Sequence, residues 1–219
     1  MGGGGNSLTG ILNVCLDGGL VQYYDPGGYL SNVDGCNGIY WDHVPRNEPC
    51  YAYIDFGVNY FGSTFMIKWE QDLQLIANYG NASTLSVSNV ADQSSKELEA
   101  STEGMWFKTF ENLSKVLWRP RDEGLNNEVS KYSLASFSTN TPRLWMNFIR
   151  YPVNTLTVQW WTDSDRTSKY ISDAVITCDS FDKFRYLYIF QNYDSSPDGE
   201  TDTHTGYGFN FEVISPYNP

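Results

Sequence analysis

Between Asn154 and Asp165 the chain reads NTLTVQWWTDSD, and Leu156, Val158 and Trp160 alternate with Thr157, Gln159 and Trp161. Residues two apart on a strand share a face, so this period predicts a strand with one face in a core and Gln159 and Trp161 on the other. The strand runs into an acidic turn with Ser and Thr, Thr162 to Ser168. Such a turn serves as a plain connection or as a ligand or cation site.

Comparable apolar runs occur at Leu8–Leu16, Tyr51–Val58, Ser63–Ile76, Leu85–Val90, Val129–Phe137, Arg143–Tyr151, Ile171–Cys178, Phe184–Gln191 and Tyr207–Ile214. Asp17 to Gly38 carries DGG, DPGG and DGCNG, turn residues that predict a folded loop without regular structure. Ala91–Gly104 is polar and is expected to be a solvated connection, although Ser94 and Glu97 stand at capping-box spacing. In Met105–Trp118, Trp106, Phe110, Leu113 and Leu117 fit a helix, whereas MWFKTF and KVLW fit two strands; the surrounding β pattern favours strands. About ten short strands punctuated by Gly, Asn, Asp and Pro predict an all-β, antiparallel two-sheet β-sandwich or jelly roll with long loops. Residues 1–9 read as a flexible glycine-rich arm and residues 10–219 as a single sandwich domain.

Composition narrows the function classes. The formal charge is −12 with only 14 Lys and Arg, which lacks the clustered cations of a nucleic-acid binder. No run approaches the length of a membrane span, and MGGGGNSLTG is not a signal peptide. Asn6 stands where a myristoylation motif needs Ser or Thr. The expectation is therefore synthesis in the cytosol, or a processed or engineered piece. Cys15, Cys36, Cys50 and Cys178 allow three pairings if all are oxidised. A Cys36–Cys50 bridge and four buried free thiols both remain open.

Three segments carry a resemblance. STFMIKWEQDLQLIANYGNASTLSV, RLWMNFIRYPVNTLTVQWWTDSD and LYIFQNYD followed by GYGFNFEVI resemble the strand pair, later hairpin and last strands of concanavalin-like, laminin-G-like domains. Trp161-Thr162-Asp163 and Gly208-Phe209-Asn210-Phe211 stand where that family has Asp-Gly and Gly-x-Ile-Asp. The resemblance implies a concanavalin-like sandwich whose members bind glycans, sometimes with calcium, and recur in viral surface and tail proteins and in secreted adhesive proteins.

Catalytic patterns fail. Glu70-Gln71-Asp72 begins a jelly-roll glycosidase pattern, but Leu75 stands at its last acidic position. Neither His43 nor His204 lies in a nucleophile motif. Asp194, Ser196 and Asp198 before Gly199 match the opening of a calcium loop, and with Asp202 they are the candidate metal ligands. Pro197 and Thr205 depart from that pattern, and a plain acidic surface loop is the alternative. Gln159, Trp161, Asp163, Asn192 and Tyr193 are the candidate ligand-binding residues, offering aromatic faces and hydrogen bonds of the kind a sugar needs.

These readings predict a non-enzymatic structural or attachment component of a larger assembly, a virion surface, decoration or fibre protein with glycan-binding capacity. Its partners would be other virion or assembly subunits, held through Met1–Thr9 in an oligomer, and a cell-surface glycan, with no nucleic acid. The alternatives are a soluble secreted lectin or carbohydrate-binding module and, behind it, a jelly-roll glycosidase.

Overall fold

The computed structural model describes residues 10–16, 20–45, 48–75, 81–94, 97, 104–112, 115–122, 124–125, 127–132, 143–179, 183–192 and 203–216. The first strands in chain order are β1 (Gly10–Ile11), β2 (Val21–Tyr24), β3 (Leu30–Asn32), β4 (Gly38–Pro45), β5 (Tyr51–Asp55), β6 (Phe65–Leu75), β7 (Asn81–Ser88) and β8 (Gly104–Asn112). They continue with β9 (Lys115–Asp122), β10 (Asn127–Glu128), β11 (Lys131–Tyr132), β12 (Leu144–Tyr151), β13 (Thr155–Trp161), β14 (Lys169–Thr177), β15 (Tyr186–Asn192) and β16 (Thr203–Ile214). The first sheet runs β14-β13-β12-β6-β16-β4-β3, with β1 beside β16. The second runs β10-β9-β8-β7-β15-β5-β2, with β11 on β9. Every strand pairing is antiparallel.

Alternation along each strand becomes rows across the sheet. Ala174, Val158, Phe148, Ile67 and Val213 are consecutive partners over five strands of the first sheet, and each is fully buried. They form one inner row facing the second sheet. Trp69 and Trp160 both lie 5.9 Å from Phe107 of β8 between ring centroids, and Trp41 stacks on Phe190 of β15 at 4.7 Å. Burying a large apolar side chain contributes roughly 1.5–3 kcal/mol, so these rings hold the two sheets together along with the aliphatic rows.

The expected strands over Tyr51–Val58, Ser63–Ile76, Arg143–Tyr151 and Ile171–Cys178 appear as β5, β6, β12 and β14 within a few residues of those bounds. Met105–Trp118 is a hairpin of β8 and β9, so the helical spacing there is incidental. Of the first expected strand, Leu8–Leu16, the described residues hold β1, with residues 8 and 9 outside those described, and residues 17–38, expected to be irregular, contain β2, β3 and the start of β4. The reason is visible at Gly38. It pairs with Phe209, and an added Cβ would fall 2.3 Å from the Gly208 carbonyl oxygen. A glycine that reads as a turn signal is here a close backbone approach inside a strand. Of the Val129–Phe137 run, β11 holds Lys131–Tyr132, and residues 133–142 lie outside those described.

The described part of the segment after β7, residues 89–94 and 97, also departs from expectation, and residues 95, 96 and 98–103 lie outside those described. It lies on the outer, tyrosine-bearing face of the second sheet rather than standing free in solvent. The Tyr53 hydroxyl donates to Asp92 at 2.7 Å, the Tyr188 hydroxyl to the Val90 carbonyl at 2.8 Å, and the Gln191 amide to the Gln93 carbonyl at 3.0 Å. Buried phenols need such partners, and the segment supplies them. The capping box closes, with Ser94 N–H donating to Glu97 Oε2 at 2.7 Å and Glu97 N–H to Ser94 Oγ at 3.4 Å.

Cys15 pairs with Cys36, their Cα atoms 4.6 Å apart, which corrects both the Cys36–Cys50 bridge and the four-thiol reading. The bond from Val14 N–H to the Cys36 carbonyl, 2.8 Å, already aligns these two segments. Cys50 and Cys178 are buried free thiols. Cys50 Sγ lies 3.7 Å from Asp25, and burial followed by that carboxylate pushes the thiol up.

At one end of the sandwich Arg150 is almost wholly buried. Its guanidinium donates to the carbonyls of Gly62 and Asp179. Nearby Asp122, fully buried, accepts from Asp179 N–H at 2.7 Å and Gly124 N–H at 3.0 Å. Burial raises its carboxyl, and those two bonds and Arg150 oppose the rise. Beside it β14 is touched at two points: the Asn127 amide of β10 donates to the Thr177 carbonyl at 3.1 Å, and Lys131 Nζ to the Ser172 hydroxyl at 3.1 Å. Among the described residues, no helix is long and apolar enough to cross a membrane.

Candidate functional site

The outer face of the first sheet is polar and aromatic where its inner face is apolar. Asn147 pairs with Gln159 on one side and Lys68 on the other, and Lys68 pairs with Glu212. Side chains join along this row. Asn147 Nδ2 donates to Gln159 at 3.0 Å, Gln159 Nε2 to Asp173 at 3.1 Å, and Lys68 Nζ to Glu212 at 3.1 Å.

One row further, Trp161 pairs with Trp145, and Trp145 with Glu70. Glu70 and Asp72 share the outer face of β6, while Gln71 between them turns inward and accepts from the Thr84 hydroxyl at 2.8 Å. A cleft of about 280 Å³ opens here, lined by Val33, Asp72, Gln74, Arg143, Tyr207 and Phe209.

Strand β16 shapes that cleft through a bulge between Phe209 and Glu212. Asn210 takes a left-handed φ of 53°, a conformation Asn tolerates, and its amide donates to Glu70 Oε1 at 2.7 Å. Bulges re-aim neighbouring side chains. Phe209 carries the Arg143 guanidinium 4.2 Å above its ring, and Arg143 Nε lies 3.7 Å from Glu70 Oε2. Tyr207 stacks on Tyr40 with centroids 4.4 Å apart. The Tyr40 hydroxyl donates to Asp42 at 2.9 Å, and His43 Nδ1 lies 2.5 Å from the same oxygen. Burial and then Asp42 push Tyr40 up to about 12, and the bonds from His43 and Tyr40 hold Asp42 below the usual carboxylate value. The Asp72 carboxylate makes no side-chain hydrogen bond or ion pair among the described residues. Burial raises its carboxyl, and Arg143 acts in the opposite direction.

The residues singled out from sequence fall in three places. Gln159 and Trp161 lie on this outer face, with Lys169 Nζ 3.8 Å over the Trp161 ring. Asp163 holds the turn that follows, accepting from Thr167 N–H at 2.7 Å, the Thr167 hydroxyl at 2.8 Å and Ser168 N–H at 2.9 Å. Those bonds, the Thr167 N–H first, depress its carboxyl. Asn192 is fully buried in the second sheet, its amide donating to the carbonyls of Pro45, at 2.5 Å, and Glu48, at 2.8 Å; it supports the fold apart from this face. Tyr193, Asp194, Ser196, Asp198 and Asp202 lie outside the described residues. Among the described residues, no group of three or more His, Cys, Asp or Glu is placed to hold a metal ion. Asp72, Arg143, Tyr40 and Tyr207 were not singled out as ligand residues. The outward parity of Glu70 and Asp72 on β6, and of Tyr207 and Phe209 on β16, is the signal that marks them.

No protein-family model and no curated protein matches the sequence. Solved structures match in shape: the metal-free exoplasmic/lumenal domain of VIP36 superposes with a TM-score of 0.55 at 10% identity, over 99% of this chain and 94% of that one. The fold is the concanavalin-like sandwich. The same VIP36 domain is also known bound to Ca2+ and Man2. The binding domain of botulinum neurotoxin DC, in complex with SialylT, matches with a TM-score of 0.53 at 10% identity over 91% of this chain. This chain spans 43% of that toxin chain. A carbohydrate esterase from the Shiga toxin-encoding bacteriophage phi24B matches at 0.54 and 10% identity, over 95% of this chain and 97% of its own. At these identities the likeness is one of concanavalin-like architecture.

Proposed function

We propose that this concanavalin-like chain is a non-enzymatic glycan-binding component of a larger assembly, such as a virion surface, decoration or fibre protein, that docks on cell-surface glycan. The observation that carries the reading is the cleft on the outer face of the first sheet. It combines a braced aromatic platform, Tyr207 on Tyr40, with a carboxylate that lacks donors, Asp72, and a guanidinium, Arg143. A pyranose ring stacks on the first and hydrogen-bonds to the other two. The carbohydrate-related neighbours of the same fold support the ligand class. A secreted lectin is the second reading, and the Cys15–Cys36 disulfide favours it, because such bonds persist in oxidising compartments.

The test is a glycan-array screen of the pure protein with and without calcium, paired with light scattering. Wild type is expected to retain a defined set of glycans, and Tyr207→Ala to lose them with unchanged circular dichroism. An oligomer favours the assembly reading and a monomer the lectin. No retained glycan would overturn the proposal. Hydrolysis of a bound glycan, abolished by Glu70→Gln or Asp72→Asn, would overturn its non-enzymatic part.

A further inference from the structure

The charges around the cleft decide which sugars it accepts. Each cation on this face already faces a carboxylate. Lys68 is bonded to Glu212, Lys169 to Asp173, and Arg143 lies against Glu70. Arg166, in the turn after β13, donates to the Ser164 carbonyl at 3.3 Å, and burial lowers its basicity against the opposing pull of Glu212 and Glu70. Asp72 is the exception, a carboxylate in the cleft wall with no bonded donor among the described residues.

A carboxylate only accepts hydrogen bonds, and half-buried Asp72 takes them from water until a ligand that displaces that water brings donors of its own. Hydroxyl groups supply them. A uronate, sialic acid or sulfate would instead bring a second anion beside Asp72, in a protein of formal charge −12.

We infer that this cleft selects neutral sugars. Two neighbouring hydroxyls donate to Asp72, the terminal amino groups of Arg143 donate to a ring or hydroxyl oxygen, and the sugar face lies on Tyr207. Arg143 does not reverse the selection, because Glu70 holds its Nε side and Phe209 its planar face. Selectivity thus arises from a repulsive element as much as an attractive one. The inference rests on the proposed glycan-binding role and adds the charge class of the ligand.

The experiment uses the intact chain against paired glycans. Mannose-, galactose- and glucose-terminated oligosaccharides are compared with sialylated, sulfated and glucuronate-terminated counterparts at low and high ionic strength. Neutral glycans are expected to bind roughly fivefold or more tightly than acidic ones, since a like charge about 4 Å away costs about that factor even at the dielectric constant of water. High salt narrows the gap by screening the repulsion. Asp72→Asn, nearly isosteric, weakens neutral binding and brings the neutral-to-acidic ratio toward one. Preference for acidic glycans, or an unchanged ratio in Asp72→Asn, would overturn the inference and leave glycan binding standing. Retention of neither class would remove the glycan-binding role itself.

Discussion

Replacing Cys15 and Cys36 together by serine opens a loop whose ends are 21 residues apart in sequence. In the chain-entropy account, closing a loop of that length removes about 11 cal/mol/K from the unfolded ensemble, or roughly 3 kcal/mol at 25 °C. With a urea m-value of about 3 kcal/mol/M, at the upper end of the range for small proteins, the midpoint should fall by about 1 M. Urea melts followed by tryptophan fluorescence measure this directly. Cys50→Ala is the control, because that thiol lies outside the loop and its loss removes a few buried atoms and the weak contact with Asp25 while leaving the loop closed. The same loop contains β2, β3 and Val33 of the cleft wall, so the double variant should also bind glycan more weakly. Thiol labelling of the native, unfolded but unreduced chain should mark Cys50 and Cys178 alone. A midpoint shift below about 0.2 M with an unchanged m-value would refute the reasoning, since the unfolded chain would then gain no measurable freedom.

Arg150→Met strips the Gly62 and Asp179 carbonyls of their buried donor and removes a cation that favours the buried Asp122 carboxylate, and should cost about 1–3 kcal/mol in a urea melt. Adding Asp122→Asn to the same chain should recover part of that loss, and a double-mutant cycle reports the coupling. Burial raises the folded-state pKa of Asp72 above its ordinary 3.8, so its charge destabilises the fold at neutral pH. Asp72→Asn should therefore raise the melting temperature at neutral pH. That gain should shrink as pH falls through the raised value and vanish below the unfolded one. Glycan binding by the wild type, which needs the carboxylate, should weaken as pH falls through that same raised value. Ser94→Ala removes one side of the capping box and should cost about 0.5–2 kcal/mol in thermal or chemical melts.

Much of the architecture is legible in the period of two. β6, β12, β13 and β14 follow from alternation alone, because each commits one full face to the core. β2, β3 and β4 are hidden, since their glycines and aspartates are the residues that also write turns. Gly38 lies inside a strand because the Phe209 backbone crosses it too closely for a Cβ. The site was legible in part. Gln159 and Trp161 are placed on the outer face by parity within one strand. The cleft needs register between strands remote in sequence, bringing Asp72 against Tyr207, and a bulge at Asn210 that no local pattern announces. Asn192 shows the opposite limit: a polar residue beside an acidic loop reads as a ligand group, yet its amide is spent on the carbonyls of Pro45 and Glu48. The disulfide partner likewise depends on which segments the fold brings together.

The two contacts that Asn127 and Lys131 make with β14 bear on how copies of this protein can join. A bare outer strand is a template on which a second chain can lengthen the sheet, and uncontrolled growth of that kind ends in fibres. Here a newcomer would first have to displace the Asn127 amide from the Thr177 carbonyl and peel β10 away. Sheet-to-sheet pairing along this border thus competes with contacts the chain already makes to itself. That competition weakens the β14 border as a site of strand addition relative to an edge whose carbonyls are all bare.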